Sequence, residues 1–271
     1  MQKSFQDFME KRVRIIWAIG AVLLAGLGGA VLAAQTGGPP FGTSVGTTDR
    51  AAIEKIVREY ILSHPELIPE AMTRLESREV GKLLASNRKD IETPFAGAVA
   101  GNPQGDVPVV VFFDYACPFC RQGHKDVARL AAEDKGIKIV YRDFPVLSPA
   151  SDEAAMASLS AALQGRYENF HDAMFETPGK VVHERTIAVV RSAGLNEMRT
   201  AKDLGSPALK AEIKKNLDLG RALGLTGTPS YVVGDRILSG AVGYDELKKA
   251  VAQARARTAT SADAANEDTA G

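Results

Sequence analysis

Apolar residues follow three different patterns along this chain. Residues 15–34, IIWAIGAVLLAGLGGAVLAA, form an uncharged run. Residues 108–113, PVVVFF, form a short run with no polar alternation, the mark of a strand covered on both faces. Most of the remainder repeats at helical spacing. Ile53, Ile56, Val57, Tyr60 and Ile61 predict a helix over about 50–62, with Asp49 as its cap and His64-Pro65-Glu66 as its stop. Ile68, Met72, Leu75 and Leu83 predict a second, thinly apolar helix over about 69–89. Such a helix must bury its stripe, either on the main domain or in a short stalk or oligomer contact.

The order of elements beyond residue 90 predicts the architecture. Residues 91–107 read as loop with a short edge strand, and Pro108 can stand only at a strand's start or edge. Val109–Phe113 is a strand, Cys117 to about Asp134 a helix, and Ile137–Tyr141 a second strand. This is a βαβ unit with parallel strands and a right-handed crossover. Helices follow over 150–163 (continuing toward Phe170 and Phe175 past a break at Gly165), 184–193 and 206–223. Tyr231–Val233 and Ile237–Ser239 form a hairpin around Gly234-Asp235, and a helix over 244–254 ends the domain. The fold class is α/β, with a helical insertion between its halves.

The domain organisation that results is an N-terminus at 1–14, a membrane segment at 15–34, a Gly/Pro/Thr-rich linker at 35–48, a helical extension at 49–90, the main domain at 95–254 and a disordered tail at 255–271. At about 1.5 Å per residue the 15–34 run reaches across a bilayer core of about 30 Å. Lys11, Arg12 and Arg14 precede it, which places the N-terminus in the cytoplasm and the rest of the chain outside. A cleaved signal is the alternative. The retained anchor is preferred because the run exceeds a usual signal core and Ala33-Ala34 matches a cleavage site only loosely. Either way the domain reaches an oxidising compartment, the periplasm in a bacterium.

Composition adds two restrictions. Lys and Arg together number 33, Asp and Glu together 33, and no basic cluster marks a nucleic-acid partner. Cys117 and Cys120 are the only cysteines, so disulfides do not staple the fold. Cys117 at a helix N-terminus has a favoured thiolate, because unpaired backbone N–H groups and the helix dipole stabilise negative charge. Cys120, one turn on, is placed to resolve a mixed disulfide on an exposed Cys117, and Pro118 suits the first helical turn. A zinc site completed by His124, a structural disulfide and two inert thiols are the alternatives. The first lacks a second cysteine pair and the second closes too small a loop to stabilise much. His124 reads as local packing with an electrostatic role open, His171 as a half-buried packing residue, and His64 and His183 as cap or loop residues.

Phe113-Asp114-Tyr115-Ala116-Cys117-Pro118-Phe119-Cys120 after a first core strand, followed by Gly227-Thr228-Pro229-Ser230 before a later one, resembles the DsbA-like thiol–disulfide oxidoreductases of the thioredoxin superfamily. The resemblance covers about 95–254. It implies a thioredoxin-like fold with a helical insertion, preceded here by the anchor and the helical region. It also implies dithiol–disulfide exchange on extracytoplasmic proteins through a redox-active Cys117–Cys120 pair, with disulfide formation the expected direction. By the same resemblance Pro229 is cis and catalytic, Thr228 presents backbone groups to substrate, and Pro118 and Phe119 contact it. Neither metal nor organic cofactor is implied. The partners would be cysteine-containing proteins and a redox partner, with a homo-oligomer possible through the helical extension. Isomerase or reductase activity and a non-catalytic binding role are the alternatives. One departure is Val111, where many members carry an acid; Asp114 is the nearest electrostatic substitute.

Overall fold

A computed structural model describes residues 47–269, so the segments at 1–14 and 15–34 and nearly all of the 35–48 linker lie outside the described residues. Among the described residues no helix is long and apolar enough to cross a membrane. The chain divides into two units at Leu62/Ser63. The first contains helix α1 (Thr47–Ser63) up to Leu62, and on it Ile53, Ile56, Val57 and Ile61 are all exposed. Asp49 lies inside α1 and not at its cap.

The second unit opens with α2 (Leu67–Glu92) and continues with β1 (Val99–Gly101), β2 (Val107–Phe113), α3 (Pro118–Glu133) and β3 (Ile137–Asp143). The helical insertion is α4 (Pro149–Leu163), α5 (Tyr167–Glu176), α6 (His183–Ser192), α7 (Glu197–Asp203) and α8 (Pro207–Ala222). The chain closes with β4 (Ser230–Val233), β5 (Arg236–Ser239) and α9 (Tyr244–Thr269). The strands form one sheet in the order β1-β3-β2-β4-β5, in which only β2 and β3 are parallel. Pro108 is accommodated because β4 pairs with β2 only from Val109 onward, so its missing N–H faces no strand on that side.

β2 lacks alternation because both of its faces are covered. Val107, Val109, Val111 and Phe113 join the core under α3, α5 and α9, while Val110 and Phe112 pack with Leu84 and Ile91 of α2 and Leu219 of α8. The α2 stripe therefore splits. Its C-terminal part is buried on the sheet, whereas Ile68, Met72 and Leu75 at its N-terminal part are exposed. Burial at the C-terminal end is reinforced by Arg142 of β3, which is 1% exposed. Its guanidinium donates to the carbonyl oxygens of Asp90, Ile91 and Thr93, to Asn216 Oδ1 at 3.1 Å and to Glu212 Oε1 at 3.2 Å. A cation at a helix C-terminus satisfies carbonyls that have no partner within the helix.

Over the described part of the segment read as a tail, α9 runs unbroken to Thr269. Its Ala-rich composition favours helix, and Arg255 holds it to the domain by pairing with Asp106 at 2.6 Å and Asp134 at 3.0 Å, joined by Arg257 on Asp235. Helix α7, unpredicted, has seven residues, too few to show a period, and is started by Asn196, whose side chain accepts from Arg199 N. The break expected after α4 does fall at Gly165, where φ is +65°.

Replacing Arg142 with Ala should destabilise the domain by about 3–5 kcal/mol, because the carbonyls and Glu212 are left uncompensated at a buried site. Removing exposed Arg129 should leave stability nearly unchanged, because its solvent-screened pair with Glu133 contributes little. Urea unfolding of both variants checks the contrast.

Candidate active site

β2 and the first turn of α3 deliver the cysteines. The chain leaves β2 at Phe113 and turns through Asp114, whose carboxylate accepts from the backbone N–H groups of Ala116 at 2.8 Å, Val146 at 2.9 Å and Leu147 at 3.0 Å. Asp114 thus ties the turn to the segment after β3 and is committed to backbone donors. Cys117 is the N-cap of α3 in extended backbone, with Pro118 in the first turn. Its carbonyl accepts from Cys120 N and Arg121 N, which starts the helix.

The opposite wall comes from the segment before β4. The register Val111↔Tyr231 and Phe112↔Ser230 brings residues 228–229 beside the end of β2. The Thr228–Pro229 peptide is cis. Cys117 Sγ donates, as a thiol, to the Thr228 carbonyl at 3.2 Å. Ser230 Oγ donates to Gly227 O at 2.8 Å, and Pro229 O accepts from Gly240 N at 2.8 Å, so this loop is held on both sides. The structure therefore brings Cys117, Cys120, Thr228 and Pro229 together. Phe119, at 64% exposure, faces solvent beside them. Cys117 itself is only 5% exposed and Cys120 only 2%, so the nucleophile is less open than its helix-terminus position implies. Both are free thiols.

The two sulfurs differ electrostatically. The Cys117 pKa is lowered from 9.0 to about 6, chiefly by a hydrogen bond from Cys120, with partial burial opposing it. The Thr228 side chain and the backbone N–H groups of Cys120 and Phe119 lower it further. Cys120 is pushed far up, first by burial and then by the neighbouring Cys117. One thiol is an anion near neutral pH and the other keeps its proton, the division of labour needed for attack and resolution.

Beneath Cys120 lies a buried aromatic and polar layer that sequence reading largely missed. His171, 2% exposed, is not half-buried; its Nδ1 lies 3.1 Å from the Tyr115 hydroxyl. Asp143, 1% exposed, accepts from Ser158 Oγ at 2.7 Å, and burial raises its pKa to about 8, so it is largely neutral near pH 7. Gly123 lies against the Tyr231 hydroxyl, leaving no room there for a Cβ. Among the described residues no cluster of His, Cys, Asp or Glu is arranged to hold a metal, and His124 instead contacts Asp172. Only the i, i+4 spacing of Cys120 and His124 was visible in advance; their partners on α5 and β4 come from distant sequence.

The sequence model of the DSBA-like thioredoxin domain matches residues 108–252, and that of the copper resistance protein ScsC N-terminal domain matches residues 49–79. The Na(+)/H(+) antiporter NhaA 1 of Salinispora arenicola is 26% identical over 162 residues, covering 59% of this chain and 25% of its own. The chain thus spans about a quarter of that relative's length. The probable disulfide bond formation protein D of Bacillus anthracis is 28% identical over 164 residues, covering 56% of this chain and 75% of its own. Among solved structures, a thioredoxin-like oxidoreductase from Silicibacter pomeroyi superposes with a TM-score of 0.60 at 40% identity, covering 62% of this chain and 98% of that one.

Thiolate absorbance of the reduced protein should titrate with a midpoint of about 6. Because the folded pKa lies below the ordinary thiol value, the reduced form gains stability over the oxidised form as pH rises from about 6 toward 9 and loses it as pH falls through the folded value. Cys120→Ala removes the main donor and should shift the midpoint upward; an unchanged midpoint would contradict the assigned cause.

Proposed function

This chain belongs to the DSBA-like thioredoxin domain family, and on that premise we propose that it catalyses dithiol–disulfide exchange on cysteine-containing proteins outside the cytoplasm, chiefly forming disulfides. The observation that carries the direction is the Cys117 thiolate, with its pKa lowered to about 6 beside a buried thiol. A stabilised reduced form makes the disulfide a better oxidant, because electrons accepted from substrate end in a favourable state.

In the forward reaction the enzyme carries a Cys117–Cys120 disulfide. A substrate thiolate attacks Cys117 Sγ, the Cys117–Cys120 bond breaks, and the electron pair leaves on Cys120, which takes up a proton. A second substrate thiolate then attacks the substrate sulfur joined to Cys117. That step forms the substrate disulfide and releases Cys117 as its stable thiolate. A separate redox partner must accept the two electrons to regenerate the enzyme. The Thr228 carbonyl and Pro229 border the reacting sulfur and would align the substrate chain, while Pro118 and exposed Phe119 would contact it. The reaction needs no metal or organic cofactor. Residues 15–34 would tether the domain to the inner membrane on its periplasmic side, or be removed to release it there.

A second reading has one observation behind it. Residues 49–79 match the ScsC N-terminal domain, and in the same stretch Ile53, Ile56, Val57, Ile68, Met72 and Leu75 are exposed. Apolar positions on helices whose faces are open favour self-association. A homo-oligomer formed through them would suit an isomerase or reductase.

The reduction potential of the protein should lie near about −120 mV for an oxidase, against about −270 mV for a reductant. Cys117→Ser should abolish exchange; retained function would favour a binding role. Removal of residues 49–79 should convert any oligomer to monomer, and light scattering that finds a monomer both with and without them would eliminate the second reading.

A further inference from the structure

We propose that His124, with Asp172 behind it, is the proton relay of Cys120, taking the thiol proton when Cys120 attacks and returning it when Cys120 leaves. The inference rests on the exchange reading above. Cys120 is 2% exposed, so water does not reach its sulfur freely, and the strand beneath offers only Val111 at the position where an acid might act. His124 follows Cys120 by one turn of α3. Helical side chains lean toward the N-terminus, which tilts the imidazole back over the turn that carries the thiol.

The surroundings of the ring differ from one nitrogen to the other. His124 lines a small gap together with Cys120, Pro229 and Tyr231. Its Nδ1 is buried without a hydrogen-bond partner among the described residues, leaving an open acceptor. Its Nε2 lies 3.4 Å from Asp172 Oδ1. His124 and Asp172 also line a separate, larger groove of about 530 Å³ bordered by β1 and α3. The imidazole therefore borders both the small gap at the thiol and the larger groove that Asp172 also lines. His171, the other buried imidazole, already has its Nδ1 against the Tyr115 hydroxyl.

The charged and titratable groups around the ring are His171, Asp172 and Glu176 from α5, Tyr141 from β3, Tyr231 from β4, and Arg121, Lys125 and Cys120 on its own helix. Burial lowers the His124 pKa, with Glu176 opposing and Arg121 and Lys125 assisting, so the ring is a neutral acceptor near pH 7. Burial, with Glu168 and Glu176 nearby, raises the Asp172 carboxyl to about 6. A long contact between a neutral ring and a carboxyl that takes up a proton near pH 6 suits transient transfer better than a fixed ion pair.

With a substrate sulfur bonded to Cys117, Cys120 Sγ attacks Cys117 Sγ; the Cys117–Cys120 bond forms and the bond to substrate breaks. The substrate sulfur leaves with the electron pair as a thiolate, reduced, while the two enzyme sulfurs become the disulfide. The Cys120 proton passes to His124 Nδ1, and the Nε2 proton passes to Asp172 and then to water in the groove. In disulfide formation the same path runs backward and protonates Cys120.

The test mixes the reduced protein with an aromatic disulfide that releases a coloured thiolate, followed by stopped-flow absorbance. A first phase reports Cys117 attack and a second reports resolution by Cys120. His124→Gln should slow the second phase about 10- to 100-fold near neutral pH and leave the first within about twofold. It should also make the second phase climb about tenfold per pH unit, following the Cys120 thiolate fraction, where the unaltered protein is nearly flat. Asp172→Asn, at a half-exposed position that tolerates change, should slow the second phase by a smaller factor, about 3- to 10-fold. A second phase of unchanged rate and pH profile in His124→Gln overturns the relay, as does slowing of both phases with no change in pH slope, which marks packing alone. Should His124→Gln fail to fold, an unchanged second phase in Asp172→Asn overturns it. Absence of the first phase in the unaltered protein would instead overturn the exchange reading, and the relay with it.

Discussion

The antiparallel register between β2 and β4 is the constraint on which the site depends. Pairing Val111 with Tyr231 and Phe112 with Ser230 leaves the outgoing end of one strand beside the incoming end of the other. The helix terminus carrying Cys117 and the loop carrying Thr228–Pro229 then meet, although 111 residues separate Cys117 from Thr228. A one-residue slip would turn every side chain of β4 to the opposite face. That slip is opposed on both sides of the sheet, since Tyr231 and Val233 belong to one core and Val232 to the other.

Around that register, burial and charge act together. Coverage of β2 by α2 and α8 on one face and α3 and α9 on the other holds the strand end rigidly, and Asp114 fixes the turn beyond it through three backbone donors. Two neighbouring thiols can then have opposite proton affinities. Cys117 collects hydrogen bonds at a helix end, where the free N–H groups favour an anion. Cys120, one turn inward, sits among Val111, Val127 and aromatic rings, where an anion is poorly solvated. The chemistry is a consequence of that gradient in environment across a single helical turn.

The interior beneath the site is also polar. Asp143, His171, Tyr115 and Tyr167 are all buried in a layer between the sheet and the helical insertion. Burial holds Asp143 and His171 in their neutral forms at neutral pH, which avoids the large cost of interior charge. Such a layer keeps polar groups in the core without net charge at neutral pH.

Local pattern in the sequence was enough for the strand at β2, the helix starting at Cys117, the hairpin near Gly234 and the candidate cysteines, because each is set by neighbours within a few residues. Thr228 and Pro229 were legible only through resemblance, since nothing local distinguishes a cis X-Pro bond from the usual trans one. Packing between distant segments decided the rest. It decided that α2 buries its second half while exposing its first, that α9 continues past residue 254 because Arg255 finds Asp106 and Asp134, and that Asp114 serves backbone donors. Above all it decided that His124 meets Asp172. Those outcomes depend on burial and on partners tens of residues away, which periodicity and spacing along the chain do not encode.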